Sequence, residues 1–192
     1  MNIQSRYPTT AEDFLLWNEG REGKREFVRG RVIEMMINTS RNHARIAFNL
    51  LSALGRRLDL GEYDVGSADF GVKTPDGVRF PDVYVDRPGS DARGSDLVAR
   101  APVCVAEILS PSSYGRDFID KVADYTSLPS LVHYIILSQD EPRVWLWSRQ
   151  PHAAEWNAPV EIAGEEAVLP LTGLETEIPL AELYLGLRPR DA

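Results

Sequence analysis

A carboxylate stands inside an apolar run, Val103-Cys104-Val105-Ala106-Glu107-Ile108-Leu109. Taking that charge out of water costs several kcal/mol unless a counter-charge or a metal ion compensates, so Glu107 needs a partner. A second acid, Asp82, opens another β-rich segment after Phe80-Pro81, 25 positions upstream, far enough for a loop to return the chain to a neighbouring strand. Adjacent strands run about 4.8 Å apart, so two carboxylates at matching heights could share one hard cation. Side chains alternate along a strand, which puts Glu107 and Leu109 on one face and leaves the Ile108 carbonyl as a third oxygen ligand. Magnesium keeps several of its waters and binds few carboxylates, so such a site can hold an activated water against a phosphodiester and neutralise the developing charge. The chemistry that follows is hydrolysis.

Each of these residues also has a plainer reading. Asp82 could bond nearby backbone at a strand end, and Glu107 could sit in a buried ion pair with an arginine. Lys121, four residues after Asp117, suits an exposed salt bridge along a helix, and Glu26 could pair with Arg31 across a hairpin. His43, near a helix start, either contacts phosphate or is a partly exposed structural residue. Ser110 and Ser112 read as turn and cap residues, no Ser-His-Asp arrangement follows from the spacing, and Trp145, Trp147 and Tyr125 read as packing.

The elements that must position these groups are legible from periodicity and turn signals. Thr9 or Thr10 can cap a first helix carrying Phe14, Leu15 and Trp17, stopped by Gly20 and Gly23. Glu26 to Val28 and Arg31 to Met36 form a hairpin about Arg29-Gly30. Ser40 caps a second helix, in which Ile46, Ala47, Leu50, Leu51, Leu54 and Leu58 recur at helical spacing up to Gly61. Tyr63 to Val65, Phe70 to Lys73, Val78 to Phe80 and Val83 to Val85 predict an antiparallel meander, with Asp76-Gly77 turning its middle pair. A polar loop from Asp86 to Arg100 precedes the central strand of Glu107. Ser112 or Ser113 caps a third helix to about Ser127, followed by strands at Val132 to Leu137 and Arg143 to Trp147. The tail holds a strand near Ala167 to Leu169 and a short helix near Leu180 to Tyr184. Together they predict a layered α/β fold with a mixed sheet.

The 192 residues fit one domain, residues 1–192, with 43% hydrophobic and 26% charged residues, which excludes disordered and collagen-like chains. The formal net charge of -8 rules out holding a polyanion by bulk charge, so nucleic-acid contact must use a local basic patch. Between Arg21 and Arg57 there are nine Lys/Arg against three Asp/Glu, and Arg41, His43 and Arg45 within that stretch are the candidates for phosphate. The alternative is a solvated surface. The single cysteine, Cys104, excludes an internal disulfide and a thiolate zinc cage, and with no signal-like start or long apolar run a cytoplasmic setting is expected.

Pro81-Asp82, Glu107-Ile108-Leu109-Ser110-Pro111-Ser112 and then Asp117, Lys121 and Tyr125, with Glu26, Gly30 and His43 upstream, resemble one known family. It is the Uma-two group of restriction-endonuclease-like proteins within the PD-(D/E)XK nuclease superfamily, and the resemblance runs from about Glu26 to Trp147. It implies a restriction-endonuclease-like mixed β-sheet core flanked by helices, with extra C-terminal β-strands. It also implies a metal-dependent endonuclease cutting DNA, with Asp82, Glu107 and the Ile108 carbonyl on Mg2+ (Mn2+ also fits). Leu109 occupies the position where the superfamily carries its lysine. Lys121, on the following helix, is the lysine the resemblance assigns to orienting the water, and Glu26 adds a carboxylate. A homodimer is expected because such nucleases often pair to cut two strands. The competing readings are an inactive nucleic-acid-binding or protein-interaction module on the same fold and, further off, a glycosidase with two carboxylates flanking a sugar cleft.

Overall fold

The computed structural model describes residues 7–35, 39–109 and 116–188. Its first helix, α1 (Ala11–Asn18), starts where the Thr10 side chain accepts the Asp13 N–H. Strands β1 (Lys24–Val28) and β2 (Arg31–Met35) follow as the predicted hairpin. Its two-residue turn places Arg29 at φ 49° and Gly30 at φ 76°, the doubly left-handed geometry that matches strand twist. Helix α2 (Arg41–Arg57) begins at Ser40, whose hydroxyl oxygen accepts the His43 N–H at 3.1 Å. Asn42 fastens this end to the C-terminal segment, donating to the Arg188 carbonyl at 2.8 Å and accepting the Arg188 N–H at 3.1 Å. His43 is thereby held at a fixed height.

Two mixed sheets and a hairpin follow. One sheet orders β2-β1-β5-β4-β7, with β4 (Gly71–Thr74), β5 (Gly77–Arg79) and β7 (Val98–Ala99). The other orders β11-β10-β9-β8-β6-β3, from β3 (Asp64–Ser67), β6 (Val83–Asp86), β8 (Pro102–Leu109), β9 (His133–Ser138), β10 (Arg143–Ser148) and β11 (Val160–Ala163). Strands β8 and β9 are parallel, and α3 (Arg116–Thr126) makes the crossover that parallel neighbours require. The hairpin of β12 (Val168–Leu171) and β13 (Thr176–Pro179), closed by α4 (Leu180–Leu183), supplies the extra C-terminal strands. No helix among the described residues is long and apolar enough to cross a membrane.

Alternation along the central strands decides what each face does. Cys104, Ala106 and Ile108 of β8 pack with Ile46, Leu50 and Leu54 of α2, burial worth about 1.5–3 kcal/mol for each large side chain. Val105 and Leu109 point to the opposite face, into a cluster with Tyr84, Tyr125, Tyr134 and Ile136. Glu107 shares that second parity, so it lies under α3.

Several expectations are corrected. The meander does not form, because β4 and β5 leave for the first sheet while β3 pairs directly with β6, from Asp64 opposite Asp86 to Ser67 opposite Val83. Gly77 permits this: a Cβ there would lie 1.8 Å from the Phe27 carbonyl oxygen, so only glycine lets β5 seat against β1. Helix α2 ends at Arg57 rather than Gly61, because Leu58 turns to extended backbone and the Asp59 side chain takes the Gly61 N–H at 2.8 Å. The polar loop contains the short strand β7. Ser110 to Ser113 and the Asp117 side chain lie outside the described residues.

Candidate active site

Val83, the first residue of β6, pairs with Ala106, so the residue before it, Asp82, comes alongside Glu107. Asp82 Oδ2 accepts the Ile108 N–H at 2.8 Å and contacts His43 Nε2 at 3.1 Å. Lys121 reaches down from α3 and sets Nζ 2.9 Å from Glu107 Oε1, the same oxygen that accepts the Tyr125 hydroxyl at 3.0 Å. Lys121 and Tyr125 are one helical turn apart and therefore project together.

The first sheet contributes Glu26. Its carboxylate accepts Arg79 Nη1 at 2.7 Å and the Phe80 N–H at 3.3 Å, and its Oε1 lies 3.9 Å from Lys121 Nζ. Arg79 also donates through Nε to Asp124 at 3.0 Å, and Arg29 approaches Asp124 from the surface at 3.7 Å. The segment Arg79 to Asp82 is the short crossing from one sheet to the other, and it carries the charge network with it.

Four of the residues singled out in the sequence thus meet: Asp82, Glu107, Lys121 and Glu26, with Ile108 at the junction. The plainer alternatives for three of them fail. Glu26 pairs with Arg79 and not Arg31, Lys121 is largely buried on Glu107 and not exposed on its helix, and Glu107 faces a lysine and a tyrosine instead of an arginine. His43 is neither exposed nor idle, since it holds Asp82. Arg41 and Arg45 sit on the exposed side of α2. Trp145 and Trp147 pack against the cluster around Tyr134, as expected.

Arg79 and Asp124 were not foreseen from the sequence. The signal was available for Arg79, a charge inside the β-rich stretch Gly77-Val78-Arg79-Phe80, by the same criterion that exposes Glu107. Asp124 stands three residues after Lys121, one step round the same helix face. Tyr125 packs as predicted but also carries the hydrogen bond to Glu107.

Burial separates the two central acids. It raises both, but for Asp82 the His43 contact, the Ile108 N–H and the Lys121 charge outweigh it and hold the carboxyl below its ordinary value. Glu107 is pushed up to about 7 by burial, reinforced by Asp82 and Glu26 and opposed by Lys121. Burial lowers Lys121, yet Glu107, Glu26 and Asp82 together raise it, so the lysine keeps its charge. With Asp82 ionised its oxygens only accept, so His43 Nε2 carries the hydrogen of their bond. Two acids with opposite displacements and one protonated lysine are the elements of acid–base and electrostatic catalysis.

Among the described residues no group of three or more His, Cys, Asp or Glu forms a cage for a metal ion. The donors at hand are two carboxylates and a peptide carbonyl, hard oxygens that suit a cation retaining most of its waters. Beside Asp82, a cavity of about 570 Å3 opens between α2 and the turn at Ser67 to Asp69.

Two uncharacterized proteins of Synechocystis sp. (strain ATCC 27184 / PCC 6803 / Kazusa), slr1290 and sll1609, are 27% and 29% identical over 140 and 134 residues. These matches cover 72% and 68% of this chain and 73% and 75% of the relatives. The crystal structure of a "putative nuclease belonging to DUF820" from Anabaena variabilis ATCC 29413 superposes with a TM-score of 0.72 over 92% of this chain and 98% of that one, at 17% identity, and so shares the fold. The model of the family Uma2, described as "Putative restriction endonuclease", matches residues 11–181, and the chain belongs to that family.

Proposed function

We propose that this protein is a metal-dependent endodeoxyribonuclease that hydrolyses DNA phosphodiester bonds. The observation that carries the reading is the junction of Asp82 and Glu107 on neighbouring strands with Lys121 Nζ 2.9 Å from Glu107. Family membership supports nuclease chemistry in general, and the site supplies the particular residues.

The residues fit a divalent cation. Asp82 and Glu107 are adjacent acids, and the Asp82 charge raises the proton affinity of Glu107, a repulsion that a dication between them would relieve. Ile108 turns its N–H to Asp82, and because a strand residue presents N–H and C=O to the same edge, its carbonyl faces that acid as well. When bound, Mg2+ or Mn2+ would supply Lewis acidity and a water of lowered pKa. Asp82 and Glu107 would hold it. His43 fixes the Asp82 carboxylate so that its second oxygen stays free to bind. Lys121 provides a fixed positive charge where the pentavalent phosphate becomes more negative, and it donates to the attacking water. Glu26 positions Lys121 from behind, itself held by Arg79.

Purified protein is incubated with plasmid and linear DNA in magnesium or manganese, beside Glu107→Gln and Asp82→Asn variants. Cutting by the parent, lost in both variants, together with manganese binding by calorimetry that disappears in Glu107→Gln, is the expected result. No cutting and no cation binding by the parent would leave the inactive module as the better description.

A further inference from the structure

The cavity beside Asp82 has an unusual wall. Phe48, on α2, is 62% exposed at its rim, with Ala44, Ala47 and Leu51 of the same helix lining the interior. An exposed aromatic ring at a cavity that Asp82 also lines offers a face on which a planar ligand can stack. Charge points to the ligand. Helix α2 carries no acidic residue from Arg41 to Arg57, and Arg41, Arg45 and Phe48, at i, i+4 and i+7, share one exposed face. Neither arginine is in an ion pair among the described residues. Lys24 also lines the cavity, and its acids, Asp69 and Asp82, lie outside α2, which leaves the helix side for phosphates.

We propose that this groove receives an unpaired DNA strand, one base stacking on the Phe48 ring while Arg41 and Arg45 meet flanking phosphates, so that the substrate is single-stranded or locally unpaired DNA. The inference rests on the nuclease reading, since it takes Asp82 at the groove floor as the place of cutting. The chemistry of the rim favours an unpaired strand over a duplex. About 570 Å3 is the size of a pocket that takes a small ligand, room for one base and not for a stretch of duplex inside it. In a duplex the base faces are covered by their neighbours, so a ring at the rim finds a face to stack on only after a base leaves the helix. An aromatic platform beside cations that track the backbone is the arrangement used to bind single strands without regard to sequence.

The full-length protein, in calcium, is titrated with a short oligonucleotide containing 2-aminopurine, both single-stranded and as a duplex, with cutting in magnesium and manganese followed in parallel. The single strand should bind at least ~10-fold more tightly, with quenching of the 2-aminopurine. Phe48→Ala should weaken that binding about 5- to 150-fold and abolish the quench, and Phe48→Trp should restore both. Equal or tighter duplex binding, or a Phe48→Ala chain that binds the single strand as well as the parent, overturns the proposal. Thermal melts confirm that the exposed substitution leaves the fold intact. The two readings fail separately. Cutting abolished by Glu107→Gln with binding indifferent to Phe48 sinks the groove alone, whereas Phe48-dependent binding without any cutting supports the groove and sinks the nuclease.

Discussion

Two charge clusters lie side by side in this molecule, built from similar residue types, and they differ in how completely each charge is answered. In the first, Arg79 is buried between Glu26 and Asp124 and donates to both. Its planar fork matches two carboxylates and never loses its proton, so the cluster is closed. In the second, one ammonium is shared by Glu107 and Glu26, and among the described residues Asp82 has only the His43 ring and the Ile108 N–H. Asp82 is bonded through Oδ2 and Glu107 through Oε1, while among the described residues neither remaining oxygen takes a hydrogen bond. The saturated cluster ties two strands of the first sheet to α3. The unsaturated one has coordination capacity left for a ligand.

That contrast can be broken from either side. The largest effect is expected for Glu107→Gln, which should reduce DNA cutting about 10^3-fold or more, the several kcal/mol a metal ion contributes, with the folded state retained by circular dichroism. Arg79→Leu should act on stability instead. It leaves Glu26 and Asp124 buried without a cation, and urea unfolding should show a loss of about 3–5 kcal/mol, which Arg79→Lys does not fully recover. Lys121→Met should lower the cutting rate about 10^2- to 10^3-fold in single-turnover assays, with a smaller change in stability than Arg79→Leu.

A milder contrast concerns pH. His133 is fully buried, its Nε2 accepts the Gly173 N–H at 2.9 Å, and its Nδ1 has no hydrogen-bond partner among the described residues. Burial lowers it from 6.5 to about 4, so the unfolded chain binds the proton more readily than the folded one. The stability from keeping His133 neutral is therefore full above about pH 6.5 and is lost as pH falls toward 4. Between pH 7 and pH 5 the parent should lose about 2 kcal/mol more than His133→Gln in parallel denaturant titrations. The smallest effect belongs to the exposed pair of Lys73 and Glu12, where Lys73→Ala should cost less than about 1 kcal/mol and be insensitive at high salt.

Much of the fold was legible because its signals act over a few residues. The left-handed pair at Arg29-Gly30, the Ser40 cap and the apolar stripe of α2 each report a local constraint, and each is found where it was read. The apolar run around Glu107 marked a central strand, and the cost of a charge there marked the site. Local signals also misled. Four successive β-rich segments imply a meander, yet the hairpin of β4 and β5 belongs to another sheet, a choice made by the seat that Gly77 finds on Phe27.

The sequence by itself marked the residues able to carry chemistry: a glutamate that cannot be buried alone, an aspartate one strand away and a lysine on the next helix. It could not say who partners whom. Tertiary structure alone decided that Arg79 answers Glu26, that Lys121 turns inward to Glu107, and that His43 holds Asp82 from 39 residues away. The reason is that a turn or a cap is settled by the conformational preferences of adjacent residues. An ion pair between distant segments exists only after strand order and register have brought them together in a shared low-dielectric interior.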